Sequence, residues 1–130
     1  MDKKYILSLD GGGVRTLSSI TFLKLLEKET GIKIHEKFDF FVGTSAGAIS
    51  CLALAVKRFS SRELEGMWGT PNLRKIMRTS SWENRLGLLQ AKPKYTNNGK
   101  REVLKNYFGR ATLGEATKPV AVLSYDIETR

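Results

Sequence analysis

Apolar positions in this chain fall into short unbroken runs that alternate with stretches of helical period. Tyr5-Ile6-Leu7-Ser8-Leu9 is short, apolar and halted by three glycines, which predicts a buried strand ending in a tight turn. Leu17, Ile20, Leu23 and Leu26 then recur at helical spacing, and Gly31 after Lys28-Glu29-Thr30 is placed as a C-terminal stop. The order repeats. Phe38-Asp39-Phe40-Phe41-Val42 predicts a second strand that leads into a turn from Gly43 to Gly47 and an Ala-rich helix to about Lys57. Two strand-turn-helix units in succession predict a parallel α/β sheet.

Beyond Lys57 the pattern changes. Ser60 followed by Glu63 reads as a capping box for a helix through about Met67, and Thr70-Pro71 as the start of another through Met77. Residues 80–99 are polar, with Lys92-Pro93-Lys94 and Asn97-Asn98-Gly99, and predict a long loop with a turn at its end. A helix from Lys100 to Phe108, stopped by Gly109, precedes a third strand from Val120 to Tyr125. No repeat or low-complexity tract interrupts this order.

With 130 residues and 41% hydrophobic content the chain has enough apolar side chain for a core, and one globular unit is expected rather than disorder. Lys and Arg outnumber Asp and Glu by 22 to 13, and the formal net charge of +9 favours partners presenting negative charge, such as an anionic membrane surface or nucleic acid. Cys51, the single cysteine, lies in the apolar run Ala48-Ile49-Ser50-Cys51-Leu52-Ala53-Leu54 and reads as a buried thiol in a reducing compartment. The charged Met1-Asp2-Lys3-Lys4 is followed by an apolar stretch too short for a signal peptide. The longest apolar segment, Ala48 to Val56, is less than half of the ~20 residues that span a bilayer. A soluble, cytoplasmic protein is expected, with any membrane contact peripheral.

Two glycine constellations carry the candidate chemistry. Gly43-Thr44-Ser45-Ala46-Gly47, between a strand and a helix, fits a nucleophile elbow in which Ser45 sits on a strained turn. Small residues at Gly43 and Gly47 let neighbouring backbone approach while the serine hydroxyl projects toward substrate, and the following helix N-terminus favours negative charge there. Asp10-Gly11-Gly12-Gly13-Val14-Arg15 closes the first strand with backbone N–H groups unshielded by side chains. Beside the elbow, those groups can hold the oxyanion of a tetrahedral intermediate, each donor contributing on the order of 3 kcal/mol. A plain tight turn and a phosphate-binding loop are the other readings. Gly-x-Gly-x-x-Gly would need glycine where Arg15 or Thr16 stands, and no Gly-Lys-Ser/Thr follows.

A base for Ser45 is harder to find. His35, the sole histidine, precedes the elbow in the polar connection Ile34-His35-Glu36-Lys37 and reads as a solvated loop residue. A carboxylate is the natural alternative acceptor. Asp2 is terminal, Asp10 is expected to accept backbone N–H bonds in the glycine loop, and Asp39 is expected within the strand beneath Ser45. Asp126, past the last strand, is the best candidate that remains, although Tyr125-Asp126-Ile127 lacks a glycine turn to present it.

Together, the two glycine motifs resemble those of the patatin-like phospholipases. The resemblance continues through Pro93-Lys94-Tyr95, Arg101-Glu102-Val103-Leu104, Tyr107-Phe108-Gly109 and Ser124-Tyr125-Asp126, nearly the whole chain, as the N-terminal portion of that domain. It implies a three-layer α/β sandwich with a mostly parallel central sheet, here truncated after the third predicted strand. It also implies hydrolysis of phospholipid or other acyl-lipid esters through a Ser-Asp dyad without cofactor. In that family's pattern Ser45 matches the nucleophile, Gly11, Gly12 and Gly13 match the oxyanion loop, and Asp10, Arg15, Gly43 and Gly47 support the two motifs. The family's aspartate lies in a later Asp-Gly-Gly or Asp-Gly-Ala motif, and no such motif follows Ser45 here. The expected base is therefore not in this chain, and these residues alone are expected to be nearly inactive.

Arg74, Lys75, Arg78 and Arg85 surround Trp68, Met77 and Trp82, a mixture that could dock on an anionic bilayer, although helical spacing of aromatics more often means a solvated basic helix whose aromatics pack in the core. Lys92, Lys94, Lys100, Arg101 and Lys105 form a second basic region, without any nucleic-acid recognition motif. No His/Asp/Glu cluster has metal-ligand spacing. The leading function is a serine lipid acyl hydrolase. Its competitors are a truncated or degenerate non-catalytic module that binds membrane lipid or a protein partner, and a phosphate or nucleotide binder using Gly11 to Gly13.

Overall fold

A computed structural model describes residues 3–76 and 97–124. The chain divides into two compact units, Met1–Gly66 with Ala111–Arg130, and Met67–Arg110. The first unit is an α/β fold around a three-stranded parallel sheet of order β1-β2-β3, formed by β1 (Ile6–Leu9), β2 (Phe40–Thr44) and β3 (Val120–Leu123). Parallel neighbours need crossovers, and the crossover from β1 to β2 contains helix α1 (Thr16–Thr30) and the short helix α2 (Ile34–Lys37). Helix α3 (Ser45–Lys57) follows β2 directly, and α4 (Ser61–Met67) comes next.

Register explains the burial. Leu7 pairs with Phe41 and Leu9 with Gly43, so these residues share one face, and all four are buried. That face is covered by α3, whose small residues Ala46, Gly47, Ser50, Cys51, Ala53 and Ala55 let the helix lie close to the strands. On the opposite face Ile6 and Leu123 are 62% and 68% exposed. Gly31 ends α1 in the left-handed region at φ 66°, as the sequence predicts for a helix stop. Ser60 and Glu63 make the expected capping box: the Ser60 N–H donates to Glu63 Oε2 (2.7 Å) and the Glu63 N–H to Ser60 Oγ (3.3 Å).

In the second unit, α5 (Thr70–Ile76) packs on α6 (Asn97–Phe108). Lys75 Nζ pairs with Glu102 Oε1 at 2.6 Å, and Asn72 Nδ2 donates to the Tyr107 hydroxyl at 3.1 Å. Asn97-Asn98-Gly99, expected as a turn, instead forms the first turn of α6. The reason is packing: a Cβ on Gly99 would lie 2.1 Å from the Lys75 carbonyl oxygen, so this glycine serves close approach between the helices. The rest of the expected loop, residues 80–96, lies outside the described residues, as do Met77 and Tyr125, to which the sequence extends the helix from Thr70 and the third strand.

Candidate active site

Ser45 is the first residue of α3 and has φ 51°, one of two non-glycine residues with positive φ among those described. A left-handed serine between an extended Thr44 and a helix is a sharp strand-to-helix turn, and it carries backbone strain of about 1–2 kcal/mol. Its consequence is exposure. Ala46 and Gly47 turn inward and are buried, whereas Ser45 is exposed and its hydroxyl makes no hydrogen bond among the described residues. The N-terminal end of α3 directs positive partial charge to the same point.

Around this turn the two glycine motifs meet. A Cβ on Gly47 would lie 2.1 Å from the Leu9 carbonyl oxygen and 2.8 Å from that of Asp10, so the start of α3 rests on the end of β1. A Cβ on Gly11 would lie 2.9 Å from Ser45 Cβ, so the glycine loop runs directly against the serine. The Gly11 N–H donates to Thr44 Oγ1 at 2.8 Å, just beyond the last ladder pair, Leu9 with Gly43.

The three loop glycines therefore differ. Gly11 has its N–H committed to Thr44, so it does not offer the free donor that the sequence pattern suggested for all three. The N–H groups of Gly12 and Gly13 have no acceptor among the described residues. Gly13, at φ 56°, turns the chain into a short 3-10 segment, Gly13–Arg15, and the Arg15 N–H closes back on the Gly12 carbonyl at 3.1 Å. The Arg15 side chain lies along Gly12, with its Cβ 3.3 Å and its Cδ 3.9 Å from where a Gly12 Cβ would sit.

Beneath the elbow, Cys51 is fully buried and its thiol donates to the Val42 carbonyl at 3.3 Å. Burial pushes the Cys51 thiol up to about 12, so it is packed core and not a nucleophile.

Three acid-base expectations change, and a fourth falls outside the described residues. His35 is not in a solvated loop: it lies on α2, its side chain is only 11% exposed, and Nδ1 is 3.4 Å from the Phe59 carbonyl. Phe59 follows the C-terminus of α3 while Ser45 begins it, which separates His35 from the serine by roughly 20 Å of helix at ~1.5 Å per residue. Asp39 precedes β2 instead of lying within it, and accepts from the Tyr5 N–H at 3.0 Å. That bond, assisted by nearby Lys4 and Lys118, holds its carboxyl below the usual range, again at the far end of the strand from Ser45. Asp10 is exposed and accepts no backbone N–H among the described residues, contrary to expectation, because the loop N–H nearest the elbow goes to Thr44. Asp126 lies outside the described residues.

Nothing in the sequence marks Thr44 beyond its place in the motif. Strand alternation was the available signal, since it puts the Thr44 side chain on the face opposite Gly43, away from α3. Of the basic and aromatic cluster, Trp68 is 3% exposed and belongs to core, and Lys75 is paired with Glu102. Met77, Arg78, Trp82, Arg85, Lys92 and Lys94 lie outside the described residues. Lys100, Arg101 and Lys105 are exposed on α6. No helix among the described residues is long and apolar enough to cross a membrane.

Comparison with known proteins shows what the chain is similar to. The family model described as patatin-like phospholipase matches residues 7–130. A cGAMP-activated phospholipase of Pseudomonas aeruginosa is 33% identical over 125 residues, covering 96% of this chain and 37% of that protein. Phospholipase A I of Arabidopsis thaliana is 36% identical over 93 residues, covering 65% of this chain and 7% of the relative. An 85/88 kDa calcium-independent phospholipase A2 of Rattus norvegicus is 30% identical over 127 residues, covering 97% and 14%. The chain thus spans well under two thirds of the length of each of these relatives.

Proposed function

We propose that the chain, which belongs to the patatin-like phospholipase family, supplies the nucleophile and oxyanion loop of a serine lipid acyl hydrolase working through a Ser-Asp dyad. The observation that carries this reading is the exposed, left-handed Ser45 with the glycine loop laid against it. Ser45 Oγ attacks the ester carbonyl carbon of a phospholipid or similar acyl lipid, and its proton passes to a carboxylate. Negative charge then develops on the carbonyl oxygen, where the Gly12 and Gly13 N–H groups and the N-terminus of α3 favour it. Collapse of the tetrahedral intermediate expels the alcohol, which takes the proton back, and water hydrolyses the acyl-serine with the same carboxylate as base.

Within this reading Gly11, Gly43 and Gly47 permit the close contacts of the elbow, Arg15 backs the loop along Gly12, and Asp10 leads into it. The base belongs to an Asp-Gly-Gly or Asp-Gly-Ala motif C-terminal to Arg130, so that residues 1–130 form the front of the catalytic domain. Absence of a general base typically costs about 10²- to 10⁴-fold, so residues 1–130 alone should show little turnover. The net charge of +9 and the exposed Lys100, Arg101 and Lys105 support peripheral contact with an anionic bilayer from the cytoplasmic side.

The test is a fluorophosphonate probe on the full-length protein. Labelling at Ser45 that disappears in Ser45→Ala, together with release of fatty acid from phospholipid vesicles, is the expected result. Labelling that survives Ser45→Ala places the activated serine elsewhere, and a full-length protein that binds vesicles without labelling or hydrolysis favours the non-catalytic module; either overturns the reading of Ser45.

A further inference from the structure

The glycine loop poses a physical problem for any oxyanion site built on it. Three successive glycines have the largest backbone freedom of any tripeptide, and donors that wander contribute little to a transition state that needs them preorganised. The β1–β2 ladder ends at Leu9 with Gly43, so no strand pairing orients the chain beyond Leu9. One hydrogen bond takes over there, from the Gly11 N–H to Thr44 Oγ1 at 2.8 Å.

We infer that Thr44 is a positioning residue, whose hydroxyl pins the Gly11 peptide and thereby orients the Gly12 and Gly13 N–H groups toward the oxygen bonded to the carbon that Ser45 attacks. The inference rests on the hydrolase reading of Ser45 and goes beyond it. Three features carry it. Thr44 is the residue before the nucleophile, so one backbone segment sets the position of both the attacking oxygen and the loop. Contact on the loop side is tight, since a Cβ on Gly11 would come 3.2 Å from Thr44 Oγ1, 3.3 Å from the Thr44 carbonyl oxygen and 2.9 Å from Ser45 Cβ. Thr44 is also β-branched and extended (φ −125°, ψ 146°), which limits χ1 and holds Oγ1 on the face away from α3. The acceptor is thus stiff where the donor segment is soft.

Thr44→Val, close in shape but without the oxygen, and Thr44→Ser, which keeps it, separate this role from plain packing. Removing one oxyanion donor costs about 10²- to 10³-fold in kcat, and loosening donors without removing them sets the expected loss in Thr44→Val at about 10- to 100-fold. KM should stay within about twofold of wild type, because ground-state binding is untouched. A trifluoromethyl ketone, whose serine adduct mimics the tetrahedral intermediate, should lose affinity by the same factor as kcat/KM falls. Thr44→Ser should retain kcat within about threefold of wild type.

These rates are to be measured on the full-length protein at a temperature where circular dichroism shows each variant folded, with Thr44→Ala replacing the valine variant if that one does not fold. Unchanged kcat in Thr44→Val, a loss confined to KM, an unchanged ketone affinity, or a serine variant as impaired as the valine one each overturns the positioning role. Failure of the wild-type protein to label at Ser45 overturns the hydrolase reading beneath it, a result distinct from any of these.

Discussion

Gly47 stands so close to Leu9 that a side-chain carbon placed on it would lie 2.1 Å from the Leu9 carbonyl oxygen. Backbone cannot yield as the end of a flexible side chain can, so Gly47→Ala must push the start of α3 off β1. Overpacking of this kind costs about 1–3 kcal/mol and here should reach the upper part of that range. Urea denaturation of the variant is the check, and a midpoint equal to wild type would show that the contact is not a constraint.

Ser45 is held at φ 51°, a strained conformation for a residue with a side chain. Ser45→Gly and Ser45→Ala both remove that hydroxyl, but only glycine relieves the left-handed strain. The relief of ~1–2 kcal/mol is offset by the ~0.5–1 kcal/mol of extra chain entropy that glycine loses on folding. Ser45→Gly should therefore be the more stable of the pair by about 0.5–1 kcal/mol in matched chemical denaturation, and an alanine variant more stable than the glycine one would contradict the geometry of the turn.

Glu27 joins three segments: its carboxylate accepts from the Ile34 N–H at 3.0 Å, from the Ser61 N–H at 3.2 Å and from the Ser61 hydroxyl. Burial alone would raise its pKa, but the bonds from Ser61 and Ile34, with Lys33 nearby, outweigh it and hold the carboxyl below its usual 4.5. A folded-state pKa below the unfolded one gives stability that is present above the unfolded value and lost as pH falls through the folded one. The stability gap between wild type and Glu27→Gln should thus be constant above about pH 5.5 and narrow steadily below pH 4.5. A gap indifferent to pH between 3 and 7 would mean the carboxylate charge has no part in the joint.

Cys51 should be silent in the folded protein. With the thiol pushed up to about 12 and no exposed surface, it should resist a disulfide reagent at pH 8 and react promptly in urea. Prompt labelling of the native protein would show that α3 opens away from β2.

Much of this fold is written in local pattern. The short run of residues 5–9 before the first glycine loop, the period of Leu17, Ile20, Leu23 and Leu26, and the apolar run before Gly43 each match an observed element, because a short extended run and a helix with one buried stripe leave different spacings, although β1 buries only Leu7 and Leu9 and leaves its other face exposed. The elbow was legible for the same reason. Gly-x-Ser-x-Gly between a strand and a helix specifies a turn that few other arrangements satisfy, and Ser45 sits on such a turn.

What local pattern could not supply is which groups meet. Asn97-Asn98-Gly99 has turn composition, yet it opens a helix because Gly99 is needed where α6 crosses the Lys75 carbonyl. His35 looked solvated among polar neighbours, but the return of the chain after α3 brings the Phe59 carbonyl to it and leaves its side chain mostly enclosed. Gly11, Gly12 and Gly13 are alike in sequence, and only the register of β1 on β2 decides that the first is tied to Thr44 while the N–H groups of the other two have no acceptor among the described residues.

The sequence by itself determined the strand-turn-helix order and the identity of the serine, since both follow from the spacing of side chains along one chain. Tertiary structure alone decided that the two glycine turns touch and which loop amides find an acceptor among the described residues, because those outcomes depend on contacts between residues more than thirty positions apart, where local spacing carries no information.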